Sequence, residues 1–279
     1  MHPKRPKPNR PRDPGVDSPL SVAVASRDRD VIAMVERAVS AGDALLAYQP
    51  VVAAGRPGAP AFYEGLIRIL DLNGRIIPAG EFMGAVETRE LGRRVDCLTL
   101  EHGLRVLRDQ PNLRLSLNMS ARSIGYPRWQ RLLESGLSEP GGLGERLILE
   151  ISEASAMLMP DIVQVFMTEM QERGVTFAID DFGTGTVSLR HLSDMYFDIM
   201  KIDGSLSRQI AQSPENQVLI RAMLSLARHF EMITVAESVE TAEDAGCLQR
   251  MGVDCLQGYL FGAPTIRPRW APDRVMPIG

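Results

Sequence analysis

The segment Val175-Thr-Phe-Ala-Ile-Asp180-Asp181-Phe-Gly-Thr-Gly185 ends a short apolar run in two adjacent carboxylates and a glycine-punctuated turn. Such a run is predicted to form a buried strand. Neighbouring strand residues point to opposite faces, so the pair would offer one carboxylate inward and one at the rim. Two anions this close repel each other and shift their titrations. A divalent cation removes that cost, and two cations about 3.5–4 Å apart form a phosphoryl-transfer centre. An isolated Asp-Asp also serves to cap loops, so its meaning depends on the rest of the chain.

Polar side chains recur at, or just beyond, the end of nearly every apolar run. They are Gln49, Glu64 with Arg68, Asn118, Glu150 with Glu153, Asp180 with Asp181, Lys201 with Asp203, Glu237 and Gln257. Taken singly, each reads as solvated or capping. Closing the runs into a barrel would converge their C-terminal ends on one face. Glu64, Asn118, Glu150, Asp180, Asp181, Asp203 and Glu237 would then ring one mouth, a donor set suited to hard cations. His2, His102, His191 and His229 are isolated. Oxygen ligands, and Mg²⁺ or Mn²⁺, are therefore expected.

The elements that must position these groups alternate short strands with longer helices, the pattern of a parallel α/β fold. Strands are predicted at Leu45–Val52, Phe62–Ile69, Leu113–Met119, Leu147–Ile151, Thr176–Asp180, Ile199–Ile202, Ile233–Ala236 and Asp254–Gln257. Helices are predicted at Asp30–Val39, Ala79–Gln110 in two pieces, Pro127–Ser135, Pro160–Arg173, Gln217–Phe230 and Thr241–Met251. In the Gln217 helix, Val218, Leu219, Ala222, Met223, Leu226, Ala227 and Phe230 are expected to pack on the barrel. The stretch Ala53–Ala61 is too short for a crossover helix, so the first two strands are expected to be antiparallel.

Composition bounds the alternatives. The 279 residues, 44% hydrophobic and 24% charged, suit a globular protein with one large barrel or two small domains. A net charge of −4 supplies no basic field for a nucleic-acid polymer. Cys97, Cys247 and Cys255 have no Cys-x-x-Cys spacing, which fits a reducing, cytoplasmic setting. No apolar run is long enough to be a transmembrane segment. Residues 1–19, basic and rich in proline, are expected to be a disordered tail, residues 20–266 the barrel with its N-terminal helix, and residues 267–279 a C-terminal tail.

The combined motifs resemble the EAL family of cyclic-di-GMP phosphodiesterases. The matching segments run in family order: Tyr48-Gln-Pro-Val, Glu64-Gly-Leu-Ile-Arg68, Asn118-Met-Ser-Ala-Arg, Leu149-Glu-Ile-Ser-Glu153, Asp180-Asp-Phe-Gly-Thr-Gly185, Lys201-Ile-Asp203, Val235-Ala-Glu-Ser-Val-Glu240 and Gln257-Gly-Tyr-Leu-Phe261. The resemblance implies a modified (β/α)₈ TIM barrel with an antiparallel first strand, and hydrolysis of cyclic-di-GMP to linear pGpG by two-metal activation of water. It implies that Glu64, Asn118, Glu150 and Asp180 hold one ion. Asp180 would bridge to a second, supported by Asp181, Asp203 and Glu237. Lys201 or Glu237 would handle the proton of the attacking water. Arg68 is implied as a phosphate or dinucleotide clamp, with Gln49 and Gln257 contacting ligand or metal-bound water. Glu153 is implied to anchor the loop Phe182–Leu189, which in relatives reaches a dimer surface, so a homodimer is expected.

Three positions depart from the family pattern. Gly65 stands for alanine, Ser238 for glycine, and Thr186-Val187 for Tyr-Ser. A catalytically inactive cyclic-di-GMP receptor on the same fold is the alternative reading; such relatives typically lose metal ligands or the loop glutamate, and this chain keeps both. Two further readings fail on spacing. A dinucleotide fingerprint at Gly183-Thr-Gly185 has Ser188 in place of its third glycine. Asp181-Phe-Gly matches the kinase metal motif, but no His-Arg-Asp precedes it.

Overall fold

A computed structural model describes residues 19–139, 141–185 and 189–270. Positions 1–18 of the expected tail, positions 271–279 of the C-terminal tail and the Thr186-Val187 departure lie outside the described residues. In chain order the elements are α1 Pro19–Ala41, β1 Ala44–Ala53, β2 Arg56–Leu70, β3 Ile76–Pro78, α2 Met83–Val86, α3 Glu90–Asp109, β4 Leu115–Asn118, α4 Pro127–Leu137, β5 Leu147–Ser152, α5 Glu153–Ala156, α6 Pro160–Gln171, β6 Thr176–Phe182, α7 Leu189–Asp194, β7 Ile199–Ile202, α8 Gly204–Ser207, α9 Pro214–His229, β8 Ile233–Ala236, α10 Ala242–Met251 and β9 Cys255–Gln257.

Eight strands close a ring. Strands β2, β4, β5, β6, β7, β8 and β9 pair in parallel succession, and β1 completes the circle antiparallel to both β9 and β2. The fold is thus the modified (β/α)₈ barrel with an antiparallel first strand. Only Ala54-Gly55 separate β1 from β2, so the stretch expected to be a loop is mostly strand, with Pro60 opposite Val52 at a register shift. Strand β3, absent from the sequence reading, pairs with the far end of β2 outside the ring.

Local chemistry sets the helix boundaries. Pro127, Pro160 and Pro214 open α4, α6 and α9 at positions where a missing N–H costs no hydrogen bond. Thr241 caps α10 by accepting from Asp244 N, and Gly252 ends it at φ 94. Helix α1 starts at Pro19, well before the expected Asp30, and Gly42 at φ 74 ends it. At the end of α3, the Arg146 guanidinium donates to Leu107 O at 2.7 Å and Gln110 O at 2.9 Å, satisfying carbonyls the helix leaves open.

The expected α9 stripe holds for Met223, Leu226, Ala227 and Phe230, which pack on the core, and needs correction at its start. Val218 and Leu219 are 67% and 48% exposed, while Ile220, Leu224 and Ala227 form the buried face with Met223 against it. Apolar residues occupy two phases of this helix, and the 220/224/227 spacing is the one that meets β8.

Position 65 shows why alanine is not needed there. A Cβ on Gly65 would stand 2.8 Å from Leu117 Cδ2, and one on Gly103 would overlap the same leucine. Leu117, on β4, fills space that two glycines on β2 and α3 leave free.

Candidate active site

The barrel interior changes character within one step of the strand repeat. Val51, Phe62, Ile148, Ala178, Ile199, Val235 and Cys255 form an apolar cluster inside the ring. Two residues further toward the mouth on the same strands stand Gln49, Glu64, Glu150, Asp180, Lys201, Glu237 and Gln257. Side chains two apart share a strand face, so the apolar layer is the floor on which the polar layer rests.

Lys201 is the centre of that polar layer. Its side chain is 1% exposed, and Nζ lies 2.6 Å from Glu150 Oε2, 2.8 Å from Glu237 Oε1, 3.1 Å from Asp180 Oδ1 and 3.4 Å from Glu64 Oε2. Glu64 links outward from this cage. Its Oε1 accepts from Asn118 Nδ2 at 2.8 Å and its Oε2 from Gln257 Nε2 at 2.6 Å. Gln257 also donates to Gln49 Oε1 at 3.2 Å, and Gln49 to Gly262 O at 3.1 Å.

The Asp pair reaches the site through a β-bulge. Ile179 pairs with Met200 and Phe182 with Ile202, so Asp180 and Asp181 together stand opposite Lys201 alone. Asp181 adopts φ 54 to make the extra residue fit. Plain strand alternation predicted one carboxylate inward and one at the rim, and Asp180 is indeed part-buried and Asp181 exposed. The bulge keeps the two close enough that ligand oxygens of Asp180, Asp181 and Glu237 lie within 4.8 Å of one another.

Charge is unbalanced in this cluster. Glu64, Glu150, Asp180, Asp181 and Glu237 set five carboxyl groups against the single Lys201 ammonium. Burial and the neighbouring Glu64 push the Glu150 carboxyl well above its usual range, against the pull of Lys201. Burial also raises Glu237, to about 8, despite Lys201. Desolvation at the mouth, with Asp180 and Asp203, raises Asp181 to about 6. For Glu64 the burial cost is outweighed by Lys201 and by the Gln257 and Asn118 hydrogen bonds, and its carboxyl titrates low. Burial acts to lower Lys201, but the surrounding carboxylates more than reverse it.

With every carboxyl ionised, as bound cations would require, five carboxylates less one ammonium leave four negative charges, the amount two divalent cations neutralise. Glu150 Oε1 is buried without a hydrogen-bond partner, and Asp180 Oδ1 meets Nζ as an ion pair without hydrogen-bond geometry. Orphaned acceptors of this kind, in an all-oxygen donor set, fit a hard divalent ion.

The remaining expected residues stand around this cluster. Asp203 caps α8, accepting from Ser205 N at 2.8 Å, and stands outside the three-acid group. Arg68 directs Nη1 to Ile67 O at 3.0 Å, and is not among the residues that line the cavity above the cluster. Glu153 is buried beside the loop after β6, where its Oε2 accepts from Gly183 N at 3.0 Å. Ser238 adopts φ 56, the conformation its glycine-like position suggested.

A cavity of about 760 Å³ opens over the cluster, and the sequence reading missed three residues on its wall: Asp96, Arg122 and Arg208. Asp96 left a legible trace, since a carboxylate falls on the buried phase of α3 between Val95 and Thr99. Its Oδ2 accepts from Ser123 Oγ at 2.5 Å and Ser120 N at 3.0 Å, yet burial still lifts its carboxyl to about 6. The folded chain therefore holds this proton more tightly than the unfolded one. Stability is expected to fall by up to about 3 kcal/mol as pH rises from about 4 to 6. Asp96→Asn removes that component, so its stability relative to the parent should climb over the same window. Urea midpoints at pH 4.5, 5.5 and 7 check this, and parallel profiles would contradict it.

Comparison with known proteins follows the same outline. A family profile described as the EAL domain matches residues 32–264. The cyclic di-GMP phosphodiesterase PdeF of Escherichia coli (strain K12) is 30% identical over 243 residues, covering 85% of this chain and 32% of PdeF. The cyclic di-GMP phosphodiesterase PdeB of Shewanella oneidensis is 26% identical over 234 residues, 82% of this chain and 27% of PdeB. The chain thus spans about a third of the length of these relatives. A solved PaMucR phosphodiesterase in complex with c-di-GMP is 30% identical with a TM-score of 0.70, covering 80% of this chain and 97% of that one. The FimX EAL domain from Pseudomonas aeruginosa bound to c-di-GMP has a TM-score of 0.74 at 24% identity, covering 85% and 97%, a likeness of fold.

Proposed function

This chain belongs to the EAL domain family, and from that premise we propose that it hydrolyses cyclic-di-GMP to linear pGpG with two divalent ions, Mg²⁺ or Mn²⁺. The observation that carries the reading is the cage of four carboxylates around Lys201, continued by the bulge that adds Asp181. The phosphodiesterase relatives named above support the substrate. The cavity is of the size that encloses a small organic ligand.

Glu64, Asn118, Glu150 and Asp180 would hold one ion, and Asp180, Asp181 and Glu237 the other, with Asp203 at its edge. When bound, such a pair acidifies water and neutralises charge on the reacting phosphate. The chain supplies the rest. An amine enclosed by four carboxylate oxygens is an ammonium, so Lys201 donates hydrogen bonds and orients the attacking water without taking its proton. Glu237, half-buried at the mouth, is the carboxylate placed to receive that proton. Gln257 and Gln49 hold Glu64 in place from behind. Asp96 offers a carboxyl to the donor edge of a guanine base in the cavity. Glu153 fixes the loop after β6 at Gly183, the segment through which a homodimer would be coupled.

No helix among the described residues is long and apolar enough to cross a membrane. A cytoplasmic site of action accords with three free, buried cysteines. Purified protein incubated with cyclic-di-GMP and Mg²⁺, Mn²⁺ or a chelator tests the reading. Metal-dependent release of pGpG is expected, whereas binding without product in every metal would assign the chain as a receptor.

A further inference from the structure

Arg208 lines the cavity beside Glu237, Ser238 and Tyr259. Its Nη2 donates to Ser238 Oγ at 3.4 Å, and its Nε lies 3.9 Å from Glu240 Oε1. Ser238 holds φ 56, a left-handed conformation that glycine adopts freely and serine does not. Its hydroxyl has room because residue 204 is glycine: a Cβ there would overlap Ser238 Oγ and stand 2.7 Å from Ser238 Cβ. Positions 204, 208 and 238 thus act together. One vacates space, one accepts backbone strain, and the third is tethered at the mouth of the site. Strain retained next to a reacting group is the usual mark of a functional constraint.

We propose that Arg208, positioned by Ser238, clamps the phosphate of the cyclic dinucleotide that is not being cleaved. This rests on the phosphodiesterase reading and adds a residue to it. A cyclic dinucleotide carries two phosphates, and the carboxylate cluster with its ions can neutralise one. The other needs a cation, and the cavity wall sets two guanidinium groups, Arg122 and Arg208, beside Glu87, Asp96 and Glu240; of the two, Arg208 is the one tied to the residue that follows Glu237. Arg68 is turned to a backbone carbonyl. The Arg208 guanidinium is largely exposed and its ion pair with Glu240 is long, so little is lost when a phosphate takes it over. Its planar fork suits two phosphate oxygens at once. Ser238 follows Glu237 directly, so the tether fixes the clamp relative to the reacting centre.

The test uses the full chain with Mg²⁺ and cyclic-di-GMP, comparing Arg208→Gln and Ser238→Gly with the parent. Arg208→Gln is expected to raise KM about tenfold, with a much smaller loss in kcat. It should also weaken the dependence of KM on ionic strength, which a merely structural role would not alter. Ser238→Gly is expected to raise the thermal midpoint by relieving the backbone while raising KM, a split that general destabilisation cannot produce. If the parent cleaves cyclic-di-GMP and both variants keep its KM and salt dependence, the clamp is wrong and the phosphodiesterase reading stands. If the parent binds without cleaving, the same comparison is made on the dissociation constant. If it neither binds nor cleaves, clamp and phosphodiesterase reading fall together.

Discussion

Glu64→Ala is expected to lower kcat for cyclic-di-GMP hydrolysis by at least about 10³-fold, a loss of the size seen when a group stabilising a charged transition state is removed. Three neighbours lose a partner in one step. Asn118 Nδ2 and Gln257 Nε2 lose their acceptor, and Lys201 loses one of its four carboxylates. The side chain is buried, so water cannot readily take its place. Affinity for the first ion should fall together with turnover, because Glu64 is the group through which Asn118 and Gln257 are aligned. Glu64→Gln provides the sharper comparison. It keeps the volume but replaces one carboxylate oxygen with an amide N–H that must face a donor in either orientation, Asn118 Nδ2 on one side or Gln257 Nε2 and Lys201 Nζ on the other. Turnover measured across a Mg²⁺ series, with calorimetric titration of the ion, reads both effects. Parent-like kcat in Glu64→Ala would remove this residue from the centre and with it the proposed ligand set.

Much of this site was legible in the sequence because a barrel converts strand order into spatial order. Once Glu64, Glu150, Lys201 and Glu237 are placed at strand ends, closure of the ring brings them together without further information. The Ile199–Ile202 and Ile233–Ala236 strands are bounded as their apolar runs predict. What was not legible depends on register and on space. The bulge that keeps Asp180 and Asp181 close to Glu237 exists only as a mismatch with β7, a non-local property. Strand β3 is a three-residue segment whose pairing with β2 is decided by the hairpin, not by its own pattern. In α9 the apolar residues support two helix faces, and contact with the barrel chooses between them. The role of Gly204 appears only when Ser238 is seen filling the missing side chain's place. Arg68 shows the opposite limit: a motif fixes a residue's position on its strand, but not where a long side chain points.

Lys201→Met is expected to remove activity and, in chelator, to cost about 3–5 kcal/mol of folding stability, the penalty for stripping a buried ion cluster of its partner. Methionine is close in volume and leaves no cavity, so the loss reports charge rather than packing. Glu150 and Glu64, both buried, would face Asp180 and Glu237 with no cation among them. Divalent ions supply the missing positive charge, so saturating Mg²⁺ should restore much of the stability while activity stays low. That pairing of outcomes separates two roles. A lysine acting only on the attacking water would leave stability in chelator at the parent value. A lysine acting only as counter-ion would regain turnover once the ions bind. Urea unfolding of parent and variant, with and without Mg²⁺, alongside pGpG production, decides between them. The geometry accords with both roles in one residue, because the ammonium that balances the carboxylates stands at their centre, within 3.4 Å of all four.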